Sequence, residues 1–125
     1  MKLVEDIADK LKTVFNRKEN VAKQTLINPA NGNINLDLSL SSSYKLILTG
    51  NSTINFLNAQ NGNVNTIIIK QDASGNHSVT LPANLKWSGN VIPTWSTNPS
   101  AIDILTIYYD LDEDKYYGVA TTDYA

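Results

Sequence analysis

The sequence predicts a mainly β chain. An antiparallel β-sandwich or jelly-roll-like domain is expected over residues 25–125, behind an N-terminal amphipathic helix and connector over residues 1–24. Three observations predict it. From Thr25 onward apolar and polar residues alternate, as in Ile34-Asn35-Leu36-Asp37-Leu38-Ser39-Leu40, the period of a strand with one wet face. The apolar runs at 66–69 and 102–109 are rich in β-branched and aromatic residues, which suit a pleated, half-buried surface. Asparagine occurs sixteen times, often as Asn-Gly or Asn-x-Asn, and such residues tolerate left-handed geometry and mark turns. About eight strands at short spacing read as a sandwich.

Residues 2–15 carry the one helical pattern. Leu3, Ile7, Leu11 and Val14 fall on one stripe, flanked by Val4 and Phe15, with Lys, Asp and Glu on the other face. Three uses fit such a stripe: packing across the chain's own β-domain, forming a short bundle between copies, or docking in a groove of another protein. Two heptads are too few for an independent coiled coil, so a bundle would lean on contacts of the β-domain. Residues 16–24 read as a polar connector, with Arg17 and Lys18 placed to complement the helix's negative end.

In the body, Ile34–Leu40 is the first strand and 44–48 the next, with Tyr44, Leu46 and Leu48 on one side. Gly50-Asn51-Ser52 is expected to break the chain before a strand at 53–57, with Ile54 and Phe56 inward. Residues 64–71 and 77–82, across Asp72-Ala73-Ser74-Gly75-Asn76, read as a β-hairpin. A second hairpin is expected at 104–110 and 115–121, turning through 111–114. Between them lies a loop, 86–99, with two tryptophans and two prolines.

Composition narrows the function classes. The net charge of −2 gives no reason to expect nucleic acid as a partner. The charge is uneven: residues 1–24 hold six Lys/Arg against four Asp/Glu, and the rest hold four against eight. With no cysteine there are no disulfides, thiolate nucleophiles or Cys-ligated zinc. No run approaches the ~18 apolar residues of a membrane span, so membrane insertion is not expected. Glu5, Asp6, Asp9 and Lys10 interrupt any signal-peptide core, so synthesis in the cytoplasm without a cleaved signal is expected.

Candidate chemistry is sparse. His77 is the single histidine and lacks the companions that a general base or a metal site requires, so it reads as structural. Asp110, Asp112 and Asp114 alternate as calcium ligands do, but Lys115 stands where an EF-type loop needs glycine, and a charged hairpin tip fits better. No Gly-x-Ser-x-Gly elbow or phosphate-binding loop is present. A glycosidase would need a carboxylate pair from Asp37, Asp72 and Asp103. No catalytic, cofactor-binding or metal-ligating residues are assigned, and a non-enzymatic protein is expected. Trp87, in a Leu-x-Trp pattern, reads as core. Trp95, between Thr94 and Ser96, reads as exposed and, with Asn90 and Asn98, as a candidate glycan contact.

Half of the chain resembles a C-terminal β-module of structural proteins of tailed bacteriophages, including tail-fibre and head-fibre-like components. The residues that carry the resemblance are Ile67-Ile68-Ile69-Lys70-Gln71-Asp72 with Gly75, then Val79-Thr80-Leu81-Pro82 and Lys86-Trp87. Gly89, Pro93, Ala101-Ile102-Asp103-Ile104-Leu105, Tyr108-Tyr109-Asp110 and Tyr116-Tyr117-Gly118-Val119 complete it. The resemblance implies a virion β-domain, often trimeric, without catalytic residues. Its short chain suits a head fibre, capsid decoration protein or fibre tip better than a long shaft. The expected partners are copies of itself and other virion proteins, with a host-surface glycan as the alternative ligand. The expected docking residues are Leu3, Val4, Ile7, Leu11, Val14 and Phe15.

Overall fold

Period-two alternation does build strands from Gln24 onward, and most of them lie parallel to one another. The computed structural model describes Ile7, Ala8 and residues 24–124. Its strands are β1 (Gln24–Asp37), β2 (Ser43–Leu57), β3 (Val64–Gln71), β4 (Val79–Thr80), β5 (Leu85–Trp87), β6 (Ile102–Asp110) and β7 (Lys115–Tyr124). They form one mixed sheet in the order β1-β2-β3-β6-β7-β5, with β4 also on β2.

The first three strands wind as coils. Thr25 lies beside Tyr44, and Tyr44 beside Ile67, all in parallel register. A straight strand of the length of β1 would span roughly 45 Å at the usual rise. The five-residue link at 38–42 reaches only about 20 Å, yet it returns the chain to the start of β1. Each long strand must therefore fold back on itself. The fold-back lies where the register slips, between Ile27 and Gly32 of β1, opposite the stretch of β2 that holds Gly50. Pro29, with no N–H to offer the ladder, falls in that gap, and Gly32 there takes φ +72°. Gly50 lies against the Asn31 side chain, where a Cβ would collide with Oδ1, so β2 bends at a residue without one. The third coil is β3, along the first arm of β2, and β4, along the second arm.

The core lies between the two arms of the coils. Leu36, Leu46, Leu48, Ile54, Ile67, Leu105 and Ile107 are fully buried. Each such side chain contributes roughly 1.5–3 kcal/mol of transfer free energy. The antiparallel hairpin β6–β7 then closes the sheet, with Ile67 opposite Leu105 and Tyr109 opposite Tyr116. Three buried carboxamides and hydroxyls run through this core. Asn65 Nδ2 donates to the carbonyls of Ser41, at 2.9 Å, and Leu38, at 3.3 Å, tying the turn between the first two coils to the third. Ser52 Oγ donates to the Gly50 and Ala30 carbonyls at the fold-back. Gln71 does the same for the loops after β3, as described below.

The mainly β class and the second hairpin are as expected; the antiparallel sandwich is not. Of the six strand pairings, β1–β2, β2–β3, β2–β4 and β5–β7 are parallel. A half-buried parallel coil and a half-buried antiparallel strand share the same period of two, so alternation alone cannot separate them. The expected hairpin of 64–71 with 77–82 does not form either: β3 pairs with β2 and β6, and β4 pairs with β2. Gly50-Asn51-Ser52 bends one continuous strand instead of ending it. Leu40, expected on an inward strand face, is exposed in the turn after β1. The helix expected over 2–15 lies outside the described residues apart from Ile7 and Ala8, where Ile7 is exposed. Leu3, Val4, Leu11, Val14 and Phe15 lie outside them as well.

Candidate functional site

Local rules place the two tryptophans in different ways. Trp87 ends β5, whose backbone runs parallel to β7, with Leu85 beside Tyr116 and Trp87 beside Gly118. Gly118 is small for a reason: a Cβ there would lie 2.8 Å from Trp87 Cζ3 and 2.9 Å from Leu85 Cδ1. The missing side chain is the space that the indole fills. Beyond Trp87 the chain makes one tight turn, Ser88–Asn90, with Gly89 at φ +64° and Asn90 at φ +59°. Asparagine is among the few non-glycine residues that adopt this conformation readily.

Trp95 is placed by its neighbour. The Ser96 N–H donates to Asp103 Oδ2 at 2.7 Å, and the Ser96 carbonyl accepts from Gln71 Nε2 at 3.1 Å. Asp103 is buried on β6, and its Oδ1 takes the Asp123 N–H at 3.0 Å, at the register shift where β7 carries an extra residue. Gln71 is buried at the end of β3 and also holds His77, donating to its carbonyl at 2.7 Å and accepting its N–H at 3.1 Å. Two buried polar side chains on neighbouring strands thus hold the loop that carries Trp95.

The result is a cleft of about 520 Å³. Residues 79–83 and β5 line it together with Asn90, Ile92 and Trp95. The rings of Trp87 and Trp95 meet edge to face, with centroids 6.0 Å apart and an interplanar angle of 62°. Both pack against the core and both remain partly buried. Trp87 is thus core-facing as expected. Trp95 is not the freely exposed ring that its polar neighbours Thr94 and Ser96 suggested, because the anchoring of Ser96 draws it in beside Trp87. Asn90 lies in the cleft. Asn98 does not line it: it is exposed in the turn before β6, where its carbonyl accepts the Ala101 N–H.

The polar groups of the cleft are uncommitted. Among the described residues the two indole N–H groups, the Asn90 carboxamide and the Thr80 hydroxyl have no hydrogen-bond partner. No buried side-chain nitrogen or oxygen lacks a partner among those residues, so these groups reach the surface. Lys86 Nζ donates to the Ala83 carbonyl at 3.1 Å.

The acids serve the backbone. Asp37 accepts from Ser39 N–H, Ser39 Oγ and Asn58 Nδ2, and these hydrogen bonds, the Ser39 hydroxyl first, lower its pKa. Asp72 Oδ1 accepts from Ser74 Oγ at 2.7 Å, from the Ser74 and Gly75 N–H groups, and pairs with His77 Nε2 at 2.9 Å. These bonds, led by the Ser74 hydroxyl, hold the Asp72 carboxyl at about 2. His77 thus stands in the loop it helps to close. Neither Asp37, Asp72 nor Asp103 lines the cleft. At the hairpin tip Asp110 takes the Asp112 N–H at 3.1 Å and Asp114 takes the Tyr109 hydroxyl at 2.8 Å. Among the described residues no three His, Asp or Glu side chains gather where they could hold a metal.

Sequence reasoning missed Gln71 and Asn65, which it left among turn and strand-end polar residues. A signal was there: Asn65, Ile67, Ile69 and Gln71 share one parity along β3, so both amides point the same way as the core isoleucines.

Compared with known proteins, the chain matches a family over residues 20–114, and that family is described as "Putative phage tail fibre C-terminal domain". No curated protein and no solved structure matches the chain. The matched span takes in β1 to β6 and the turn after β6, and leaves residues 1–19 and 115–125 outside it.

Proposed function

This chain belongs to the phage tail fibre C-terminal domain family and is a structural component of the phage virion, and from that premise we propose that it is a non-enzymatic, homotrimeric fibre protein. Its β body projects outward, and the segment before Gln24 joins it to the particle. The observation that carries this reading is that the family match covers the described β body from β1 to β6 and leaves the apolar stripe of residues 3–15 outside it. A stripe built of Leu3, Val4, Ile7, Leu11, Val14 and Phe15 needs a cover, and three copies of two heptads beside a rigid β body offer one. The non-enzymatic part is supported by the acids: Asp37, Asp72 and Asp103 each accept backbone N–H groups. The family's description favours a tail position over the head-fibre or capsid-decoration position expected from the chain by itself.

Light scattering after size exclusion tests the assembly. A mass of three chains is expected, and a monomer at every concentration would overturn the trimer. Immunogold labelling of intact particles tests the position. Label at the tail is expected, and label spread over the capsid would return the protein to a decoration role. Among the described residues no helix is long and apolar enough to cross a membrane.

A further inference from the structure

We propose that the cleft between residues 79–83 and Trp95 is a binding site for a pyranose ring of a neutral glycan. The proposal goes beyond the fibre reading and stands without it, because it rests on the cleft alone. The cleft of about 520 Å³ falls within the usual range of small-ligand sites, about 300–1,000 Å³. Its lining mixes apolar surface from Leu81, Pro82 and Ile92 with aromatic rings and a few polar groups. A pyranose needs that mixture. The C–H groups of one sugar face pack on an aromatic face, while the hydroxyls at the ring edge take and give hydrogen bonds.

The tryptophans meet those needs in an asymmetric way. Rings packed edge to face cannot both present a face at their contact, so one indole is the platform and the other supports it. A tryptophan that serves only as core finds a partner for its N–H when buried. Here both N–H groups are unpaired among the described residues and accessible. Asn90 adds an acceptor and two donors from a turn whose backbone sets it at φ +59°. Thr80 adds a hydroxyl from β4. The cleft is also prearranged: Gln71 and Asp103 anchor one side through Ser96, and Gly118 makes room for the other. Little ordering entropy is then left for binding to meet. No carboxylate lines the cleft, and its one charged group, Lys86, is already engaged by the Ala83 carbonyl, which favours a neutral sugar over an acidic one.

The chain has two tryptophans, so a ¹H–¹⁵N spectrum shows two indole signals and reads the site directly. The full-length protein is titrated with the methyl glycosides of glucose, galactose, mannose and N-acetylglucosamine. At least one is expected to shift an indole signal saturably. Asn90→Gly, which removes the carboxamide and keeps the positive φ of the turn, is expected to weaken binding about tenfold, the loss of one hydrogen bond. Trp95→Ala is expected to remove binding, and Trp95→Phe, which keeps an aromatic face, to retain part of it should the alanine variant misfold. If neither indole signal moves with any of the four glycosides at concentrations up to about 50 mM, well above a millimolar Kd, the assignment is wrong. If a polyproline peptide shifts the signals and the glycosides do not, the cleft takes a protein segment and the glycan assignment is equally overturned.

Discussion

Asp103 shows what a single buried side chain does in this molecule. It accepts the Ser96 and Asp123 N–H groups and joins the Trp95 loop to the end of β7. Asp103→Ala removes the acceptor of two partly buried backbone N–H groups, at a cost of about 1–3 kcal/mol. Urea denaturation should show a lower midpoint, and an unchanged midpoint would remove Asp103 from the list of structural anchors. Asp72 offers a pH test of the neighbouring loop. Its folded pKa of about 2 lies below the reference value of 3.8. A depressed carboxyl stabilises fully above the unfolded value and loses that contribution as pH falls through the folded one. The loop should therefore weaken between about pH 4 and pH 2, and Asp72→Asn should flatten that part of the stability profile. A structural role for Asp103 is legible from its place between Ile102 and Ile104, because a polar group on a buried strand must find hydrogen bonds. Its partners are not, since Ser96 and Asp123 lie on segments that only folding brings to it.

At the scale of elements, β5 is the clearest case of close fitting. It is three residues long and holds its place through β7, on which Leu85 and Trp87 straddle Gly118. Gly118→Ala puts a methyl group where the Trp87 ring lies, and overpacking of this kind costs roughly 1–3 kcal/mol. The expected signature is a shift in tryptophan emission together with a lower melting temperature. If emission and melting both stay as in the parent, the contact is looser than the geometry says. The β6–β7 hairpin was readable in advance because its turn and both its strands are contiguous in sequence. The pairing of β4 with β2 was not. Ser52 and Val79 are separated by the whole of β3 and its loops, and nothing local to either announces the other.

For the whole molecule, the coils leave β1 as one edge of the sheet. An open edge of this length invites pairing with other chains, and Pro29 with the register slips around it interrupts the row of free backbone groups. The strand begins at Gln24, directly after the segment assigned to assembly. Removal of residues 1–22 should therefore convert the proposed trimer into monomers while the β-type circular dichroism persists. Loss of that dichroism would show that the segment is part of the β-domain's own fold.

The sequence by itself determined that this protein is built of strands, which faces of the first two turn inward, and where the last hairpin turns. Those properties are local. A period of two, β-branched runs and Asn-Gly turns act through neighbouring residues, so Leu46, Leu48 and Ile54 could be read as core from the alternation around them. Only the tertiary structure decided that Thr25, Tyr44 and Ile67 lie side by side in parallel coils, and that Gln71 and Asp103 meet at Ser96 to set Trp95 against Trp87. Pairing direction and such meetings depend on which distant segment fills the space beside a strand. That choice is made by packing of the whole core, because the same alternating pattern satisfies a parallel or an antiparallel neighbour equally well.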